Sequence, residues 1–169
     1  EEQTSRLANS FFACFISHPE KAKNVIFTPN ITTSLNILLK GLLKSGDHVL
    51  VPLWNTMRSC VRWYSLPGME SLFDRIPCSA DGSLLIEKAE ELLKPNTRLL
   101  VCLHASNVCG TIMPVQELGK FCKKHGLLFI LDTAQTAGTV PIDMEALQLD
   151  ALAFTGHKGL RGPQVPAVF

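Results

Sequence analysis

The sequence predicts an α/β fold, in which a mostly parallel sheet of about seven strands has helices on both faces and forms three layers. Short apolar runs alternate along the chain with longer segments in which apolar residues recur every three or four positions. The apolar runs are continuous rather than interleaved with polar residues, which is typical of strands buried on both sides. The 169 residues, 46% hydrophobic and 18% charged, suffice for one globular domain.

Each element is predicted from its periodicity and from the residues that end it. Apolar side chains at helical spacing, such as Leu35, Leu38 and Leu42, indicate helices, whereas continuous apolar runs indicate strands. Glycine or proline follows most of these segments, as Gly126 does. In chain order we expect a helix over 4–17, a strand over 24–28, a helix over 32–44, a strand over 48–51, a helix over 55–66, a strand over 72–77, a helix over 84–94, a strand over 98–104, a helix over 115–125, strands over 127–132 and 151–155, and the start of a seventh strand over 165–169. This alternation favours parallel strands joined by right-handed crossovers.

Charge and composition argue against several classes of protein. The net charge of +1 provides no strong field for nucleic acid or for an anionic membrane. No apolar stretch approaches the ~20 residues that cross a bilayer, and the first residues lack the basic start of a signal peptide. The six cysteines lack the spacing of a zinc site, so we expect no metal and interpret them as reduced, mostly buried thiols of a cytoplasmic protein. They are Cys14, Cys60, Cys78, Cys102, Cys109 and Cys122.

Two predicted strands end in residues that can carry chemistry. Asp132 follows the apolar run over 127–131, and Lys158 lies in a glycine-punctuated loop after the run over 151–155. Carboxyl ends of parallel strands meet at one edge of a sheet, which is where ligands bind in such folds. A lysine that loses its proton can form a Schiff base with an aldehyde, and a carboxylate can keep a pyridine nitrogen protonated. The alternatives are a solvated surface lysine and an aspartate that caps the next turn.

Other polar residues at predicted strand and helix ends have comparable alternatives. Thr155 and His157 can donate hydrogen bonds to a phosphate. Thr32 is either a capping or first-turn residue of its helix or part of a phosphate site at the helix N-terminus, and both can hold together. Asn107, which follows the strand over 98–104, either faces a ligand or serves as a turn residue. Gln135 can donate to a hydroxyl on a bound ring.

Taken together, these motifs resemble the class V aminotransferase and cysteine desulfurase family, which are pyridoxal-phosphate enzymes of fold type I. The motifs occur in the family's order, from about residue 5 to the end of the chain. They are Phe27-Thr-Pro-Asn-Ile-Thr-Thr-Ser-Leu-Asn36, Gly41-Leu-Leu-Lys-Ser-Gly-Asp-His-Val49, His104-Ala-Ser-Asn-Val-Cys-Gly-Thr111, Asp132-Thr-Ala-Gln-Thr-Ala-Gly138 and Ala153-Phe-Thr-Gly-His-Lys-Gly159. The resemblance implies the large domain of a pyridoxal-phosphate-dependent transferase.

The resemblance implies that pyridoxal 5'-phosphate is the cofactor and assigns the residues around its ring. Lys158 matches the lysine that forms the Schiff base and later moves protons at the substrate α-carbon. Asp132 matches the partner of the pyridinium nitrogen, and Gln135 matches the residue near the phenolic oxygen. Asn107 matches the asparagine near the cofactor hydroxyl and the substrate carboxylate.

The resemblance also implies a phosphate site formed by a helix start and by the lysine loop. Thr32, Thr155 and His157 match phosphate ligands of the family. Ile31 lies in the turn before the phosphate helix, and this turn is bulkier than the Gly-Ala or Gly-Thr of other members.

One residue departs from the family's pattern at the cofactor ring. Thr56 takes the place of a histidine that stacks on the ring in family members, although Trp54 offers a ring nearby. We further expect residues 1–169 to be a single large domain truncated at both ends. The arginine that binds the substrate carboxylate and the cysteine that accepts sulfur belong to a small C-terminal domain, and Cys102 and Cys109 lie in the wrong segment to replace that cysteine.

The expected function is that of a cysteine desulfurase-like enzyme, which converts L-cysteine to L-alanine and an enzyme persulfide. The fragment alone is expected not to be fully active. The partners implied are an amino-acid substrate, a sulfur-acceptor protein and a second copy in a homodimer, without nucleic acid or membrane. Two alternatives stay open: an aminotransferase or lyase for another amino acid, and a degenerate member with a binding or scaffold role.

Overall fold

The computed structural model describes residues 24–53, 73–162 and 167–168. The predicted helices over 4–17 and 55–66 lie outside these residues. The strands are β1 (Phe27–Thr28), β2 (His48–Pro52), β3 (Phe73–Ile76), β4 (Thr97–Leu103), β5 (Leu128–Asp132), β6 (Ala151–Ala153) and β7 (Ala167–Val168). The helices are α1 (Ile31–Leu42), α2 (Glu87–Glu91) and α3 (Val115–His125).

Five of the strands form one parallel sheet in the order β3-β2-β4-β5-β6. Leu103 of β4 is level with Asp132 of β5, which is level with Ala153 of β6. The last residues of these three strands therefore form one row across the carboxyl edge of the sheet. The loops that follow the three strands all begin at that row.

The inner strands β2, β4 and β5 are buried on both faces, which explains their continuous apolar runs. Leu35 and Leu39 of α1 pack with Val49, Val101 and Ile130 on one face. Residues of α2 and α3 pack on the other face together with those strand residues that point the opposite way; they are Ala89, Leu118, Phe121, Cys122, Leu50, Leu100, Phe129 and Leu131. The predicted three-layer arrangement with helices on both faces is confirmed.

The strand count of the main sheet differs from the expectation. The parallel sheet has five strands in the described part of the chain rather than about seven, because β1 and β7 pair with each other antiparallel. Each has two residues, and they form a separate two-stranded sheet. The prediction of a mostly parallel sheet between two layers of helices was thus right, but the sheet has fewer strands than predicted, because β1 and β7 do not belong to it.

Helix ends follow the local sequence. Gly126 adopts the left-handed conformation, with φ of 65°, and its N–H donates to carbonyls of the last turn of α3, so the predicted stop is confirmed. The helix predicted over 84–94 is shorter, because Leu84 instead forms a bridge with Cys78 and the helix proper spans Glu87–Glu91. Within the described ranges no helix is long and apolar enough to cross a membrane.

Candidate active site at the carboxyl edge of the sheet

Asp132, the last residue of β5, has a carboxylate in a partly desolvated position. Its Oδ1 accepts a hydrogen bond of 2.9 Å from the Ala134 N–H. Burial raises the pKa of Asp132, and this effect is opposed by the Ala134 N–H and by the positive charge of Lys158. The aspartate caps its own turn, as one sequence interpretation predicted, and it also lies within electrostatic reach of the lysine.

The segments after β5 and β6 touch through their main chains. Gly138 has φ of 87°, and a Cβ atom at this position would lie 2.5 Å from the carbonyl carbon of Gly159. A Cβ atom on Gly159 would in turn overlap the carbonyl oxygen of Ala137. Only residues without a side chain allow this approach. The contact, here called the glycine seam, joins the loop that carries Gln135 to the loop that carries Lys158.

Lys158 lies in a tight turn at the edge of the sheet. Its carbonyl oxygen accepts a hydrogen bond of 2.9 Å from the Arg161 N–H, and the Gly162 N–H donates to Gly156 O at 2.9 Å. Arg161 has a positive φ of 54°, which closes the turn. The Lys158 side chain is exposed. The shielding that favours a neutral amine is therefore not supplied by the described residues.

Thr155 is the clearest candidate for an anion contact in this loop. The residue is 5% exposed, and its Oγ1 is buried without a hydrogen-bond partner among the described residues. An unsatisfied buried hydroxyl costs free energy unless a ligand or water completes it. Gly156, next in the chain, is also buried, whereas His157 is exposed at the edge of the loop.

The start of α1 presents the main-chain N–H groups of Ile31 and Thr32, which have no acceptor within the helix. Asn30 is the N-cap, and its Oδ1 accepts hydrogen bonds from the N–H and the hydroxyl of Thr33, at 2.8 and 3.1 Å. Ile31 and Thr32 are therefore in the first turn, and the first-turn interpretation of Thr32 holds rather than the cap. The helix packs against β6 and β7. Because the positive end of a helix dipole favours anions, this helix start suits a phosphate.

Asn107 lies in the loop that follows β4, and its side chain is exposed. The loop is closed by a bridge between Ala105 and Ile112. The buried Ser106 hydroxyl accepts hydrogen bonds from the Val108 and Cys109 N–H groups, at 3.2 and 3.3 Å. Asn107 is thus held at the tip of an ordered turn at the carboxyl edge.

His104 and Thr136 form a contact that sequence reasoning missed. His104 Nδ1 lies 2.9 Å from Thr136 Oγ1, and both residues are buried. Burial lowers the pKa of His104. The sequence offers a weak signal for this pair, since a polar residue at the end of an apolar strand requires a partner when it is buried.

Among the described cysteines, Cys102 and Cys122 are buried and Cys78 is half-buried, whereas Cys109 is exposed. Burial raises the pKa of Cys102 well above its ordinary value and raises that of Cys122 to about 12. Cys109 is exposed, and hydrogen bonds from Ser106 and Thr111 lower its pKa to about 7. Thr56, which takes the place of a ring-stacking histidine, lies outside the described residues.

Comparison with known proteins identifies several similar chains. A family profile described as aminotransferase class V matches residues 7–164. A probable cysteine desulfurase of Pyrococcus abyssi is 35% identical over 143 residues, which are 82% of this chain and 35% of that protein. A cysteine desulfurase of Haloferax volcanii is 34% identical over 158 residues, covering 89% of this chain and 37% of that protein. The apo cysteine desulfurase of Thermococcus onnurineus has a TM-score of 0.81 at 29% identity, over 99% of this chain and 42% of that one. The chain spans about a third of the length of the curated relatives it matches.

Proposed function

The chain belongs to the class-V aminotransferase family, and we propose that it is the pyridoxal-phosphate-binding large domain of a cysteine desulfurase-like enzyme. In the proposed reaction, L-cysteine and an enzyme thiol give L-alanine and an enzyme persulfide. Because the chain spans about a third of its relatives, the reaction is proposed for the protein that carries these residues and not for the residues alone.

One observation supports this proposal most directly. Asp132 ends β5 and is level with Ala153, the last residue of the neighbouring β6, and Lys158 follows five residues later (158 − 153). Burial raises the pKa of the Asp132 carboxyl, and the charge of Lys158 opposes this effect. An amine and an acid held on neighbouring strand ends match the two ends of a pyridoxal ring, which needs a lysine at its aldehyde and a carboxylate at its nitrogen.

The donor groups of the same edge fit the rest of the cofactor. The unpartnered hydroxyl of Thr155 and the free N–H groups at the start of α1 suit a phosphate. Thr32 and Ile31 supply that helix start, and the exposed His157 is the remaining phosphate candidate. Gln135 is exposed three residues after Asp132. Its side-chain amide can donate a hydrogen bond, so it is assigned to the ring hydroxyl.

In this assignment each residue has a separate task. Bound at this edge, pyridoxal phosphate supplies an electron sink that stabilises a carbanion at the substrate α-carbon. Lys158 Nζ holds the cofactor aldehyde and moves the proton at that carbon. The Asp132 carboxylate holds the proton on the ring nitrogen, and Asn107 orients the substrate carboxylate. A homodimer and a sulfur-acceptor protein complete the proposal at the level of the whole protein.

A borohydride experiment tests the lysine assignment. The wild-type protein mixed with pyridoxal phosphate should form a yellow adduct that borohydride bleaches and fixes to the chain, and mass spectrometry should locate it at Lys158. Lys158→Ala should abolish the fixed adduct, because Lys158 is the one lysine in the described loops that follow β4, β5 and β6. Lys40→Ala on the exposed face of α1 is the matched control and should retain it.

An adduct that persists in Lys158→Ala contradicts the assignment of the lysine. A wild-type protein that takes up no cofactor at all contradicts the enzyme proposal and favours a scaffold role. Product analysis with L-cysteine against a panel of other amino acids then tests the substrate, since alanine should accumulate only with cysteine.

A further inference from the structure

We propose that His104 is a positioning residue for the cofactor ring: through the Thr136 hydroxyl it holds the loop that follows Asp132 and presents Gln135. This inference rests on the proposed function, because it concerns residues assigned to the ring. It assigns a role in the site to a histidine for which the sequence alone indicated none.

His104 itself is fixed from both sides. Its main-chain N–H donates to Asp132 O at 2.8 Å, and its carbonyl oxygen accepts from the Met113 N–H at 2.9 Å. The side chain is 6% exposed. The imidazole is therefore a rigid support, anchored to the same strand end that carries the catalytic carboxylate.

Thr136 is the point at which the following loop is held. Its N–H donates to Thr133 O at 3.0 Å, and its carbonyl oxygen accepts from the N–H groups of Thr139 and Val140, both at 2.9 Å. The Thr139 hydroxyl donates to the same oxygen at 2.9 Å. A displacement of Thr136 therefore displaces its neighbour Gln135 and the chain that leads to the glycine seam.

The beginning of this loop is fixed separately. Both the N–H and the hydroxyl of Thr133 donate to Ala153 O, at 2.8 and 2.9 Å. Thr133 thus ties the loop to β6, whereas His104 ties it to β4 through Thr136. Hydrogen bonds to the two strands that flank β5 thus fix the orientation of this short segment. Loss of either hydrogen bond allows the segment to rotate about the remaining one.

The charge state of His104 suits this role. Burial lowers the pKa of the imidazole, so it is neutral at neutral pH and adds no cation beside Asp132. Lys158 is the cation that acts on the Asp132 carboxyl.

Paired substitutions separate positioning from simple stability. Thr136→Val removes the hydroxyl with little change of shape, and Thr136→Ser restores it. His104→Asn keeps a polar atom near Nδ1, and His104→Leu does not. Thr97→Val is the matched control, because Thr97 Oγ1 contacts His48 Nδ1 at 2.8 Å in the same kind of pair at the opposite edge of the sheet.

Two measurements are made on the protein expressed from its full open reading frame. In the cofactor-free protein, amide hydrogen exchange at Ala134 and Ala137 should be about tenfold faster in Thr136→Val and His104→Leu, as expected for one lost hydrogen bond. With pyridoxal phosphate bound, the pH at which the visible absorbance titrates should shift in the same two variants. Thr136→Ser and His104→Asn should return both values toward wild type, and Thr97→Val should leave both unchanged.

The outcomes distinguish this inference from the proposed function. Wild-type protein that binds pyridoxal phosphate while Thr136→Val titrates as wild type overturns the role of His104 and leaves the proposed function standing. Equal shifts in Thr136→Val and Thr97→Val also overturn it, since they indicate a general loss of stability. Wild-type protein that forms no adduct refutes the proposed function and, with it, the positioning role.

Discussion

Among single residues, Asp132 combines a cost to the fold with a benefit to the site. Its carboxyl is partly desolvated at the end of β5, which raises its pKa, and within the described ranges one main-chain N–H and a neighbouring lysine oppose this effect. Because perturbed carboxyl groups cluster at functional sites, this raised pKa supports the role proposed for Asp132.

Replacing Asp132 with asparagine should separate these two effects. Asp132→Asn keeps an oxygen for the Ala134 N–H but removes the buried charge, so the unfolding free energy of the cofactor-free protein at pH 7 should be equal or higher. Affinity for pyridoxal phosphate should fall about 10- to 100-fold, the value of one charged hydrogen bond. Denaturant unfolding and spectroscopic titration measure the two quantities.

The control for this substitution lies just before β6, at the opposite edge of the sheet. Asp150 Oδ2 accepts a hydrogen bond of 2.8 Å from the Phe129 N–H, so Asp150→Asn alters a similar contact away from the site. It should leave cofactor affinity unchanged. Equal affinity in wild type and Asp132→Asn would contradict the assignment of the carboxylate.

Cys109 is expected to be the reactive thiol among the described cysteines. Hydrogen bonds from Ser106 and Thr111 lower its pKa to about 7, whereas burial raises the pKa values of Cys102 and Cys122. Because the thiolate is the nucleophile, the rate of alkylation at Cys109 should rise with pH and reach half its maximum near 7.

Peptide mapping by mass spectrometry follows each thiol in the folded protein. Cys102 and Cys122 should remain unmodified until the protein is unfolded. Ser106→Ala should move the midpoint for Cys109 to higher pH, because the hydroxyl that stabilises the thiolate is lost. A midpoint near that of an ordinary free thiol in the wild type would show that these hydrogen bonds do not act in solution.

At the scale of elements, the loops after β5 and β6 behave as one unit because of the glycine seam. Gly159→Ala brings a methyl group against the Ala137 carbonyl oxygen, so the two loops must separate. Such overpacking typically costs about 1–3 kcal/mol, and here it also displaces Lys158 from Asp132. We expect lower unfolding free energy and a marked loss of the borohydride-reducible adduct.

Gly41→Ala is the matched substitution for this prediction. A Cβ atom on Gly41 meets nothing within 4 Å, and the residue lies inside α1. Alanine there should stabilise the protein by about 0.5–1 kcal/mol and leave the adduct intact. Comparable adduct yields in the two variants would indicate that the seam does not set the distance between the loops.

At the scale of the whole molecule, two buried histidines make the fold sensitive to acid. Burial, then the charge of Lys94, lowers the pKa of His48 below 6.5, although Asp74 opposes this with its Oδ2 3.2 Å from His48 Nε2. Burial likewise lowers the pKa of His104 from 6.5. In both cases the unfolded chain takes up a proton at higher pH than the folded chain does.

The unfolding free energy should therefore be fully retained above about pH 6.5 and fall as the pH decreases through and below that value. Denaturant titrations at pH 8, 7, 6 and 5, which are roughly one-unit steps, measure how the unfolding free energy changes with pH. His48→Gln should make the unfolding free energy less dependent on pH over this range, because one of the two buried histidines is removed. An unfolding free energy that stays constant or rises on acidification would contradict the neutral, buried state of these side chains.

Much of this architecture could be predicted from the sequence, for a physical reason. Continuous apolar runs such as that of β5 require burial on both sides, and this alone indicates a parallel sheet between helices. The positions of Asp132 and Lys158 at the carboxyl edge were predictable because both come at or shortly after the end of such a run, whereas their roles stay predictions. The pairing of β1 with β7 was not, because strands of two residues carry no periodicity and their partners lie far apart in the chain.

The contacts that tie the site together were the least predictable part. The glycine seam depends on two main chains that meet across 21 residues of sequence (159 − 138), and glycine at either position alone suggests only a turn. His104 and Thr136 meet in the same way across 32 residues. Local patterns report on burial and conformation, but they do not specify which loops come into contact.

The level row formed by Leu103, Asp132 and Ala153 limits how this region can change in evolution or engineering. Successive side chains of a strand face opposite sides, so an insertion or deletion of a single residue inside β5 would turn the Asp132 side chain toward the opposite layer of helices. Length changes should accordingly be excluded from β5 and tolerated in loops remote from the row, such as residues 79–83. A library of one-residue deletions, scored for retained cofactor colour, would map this boundary.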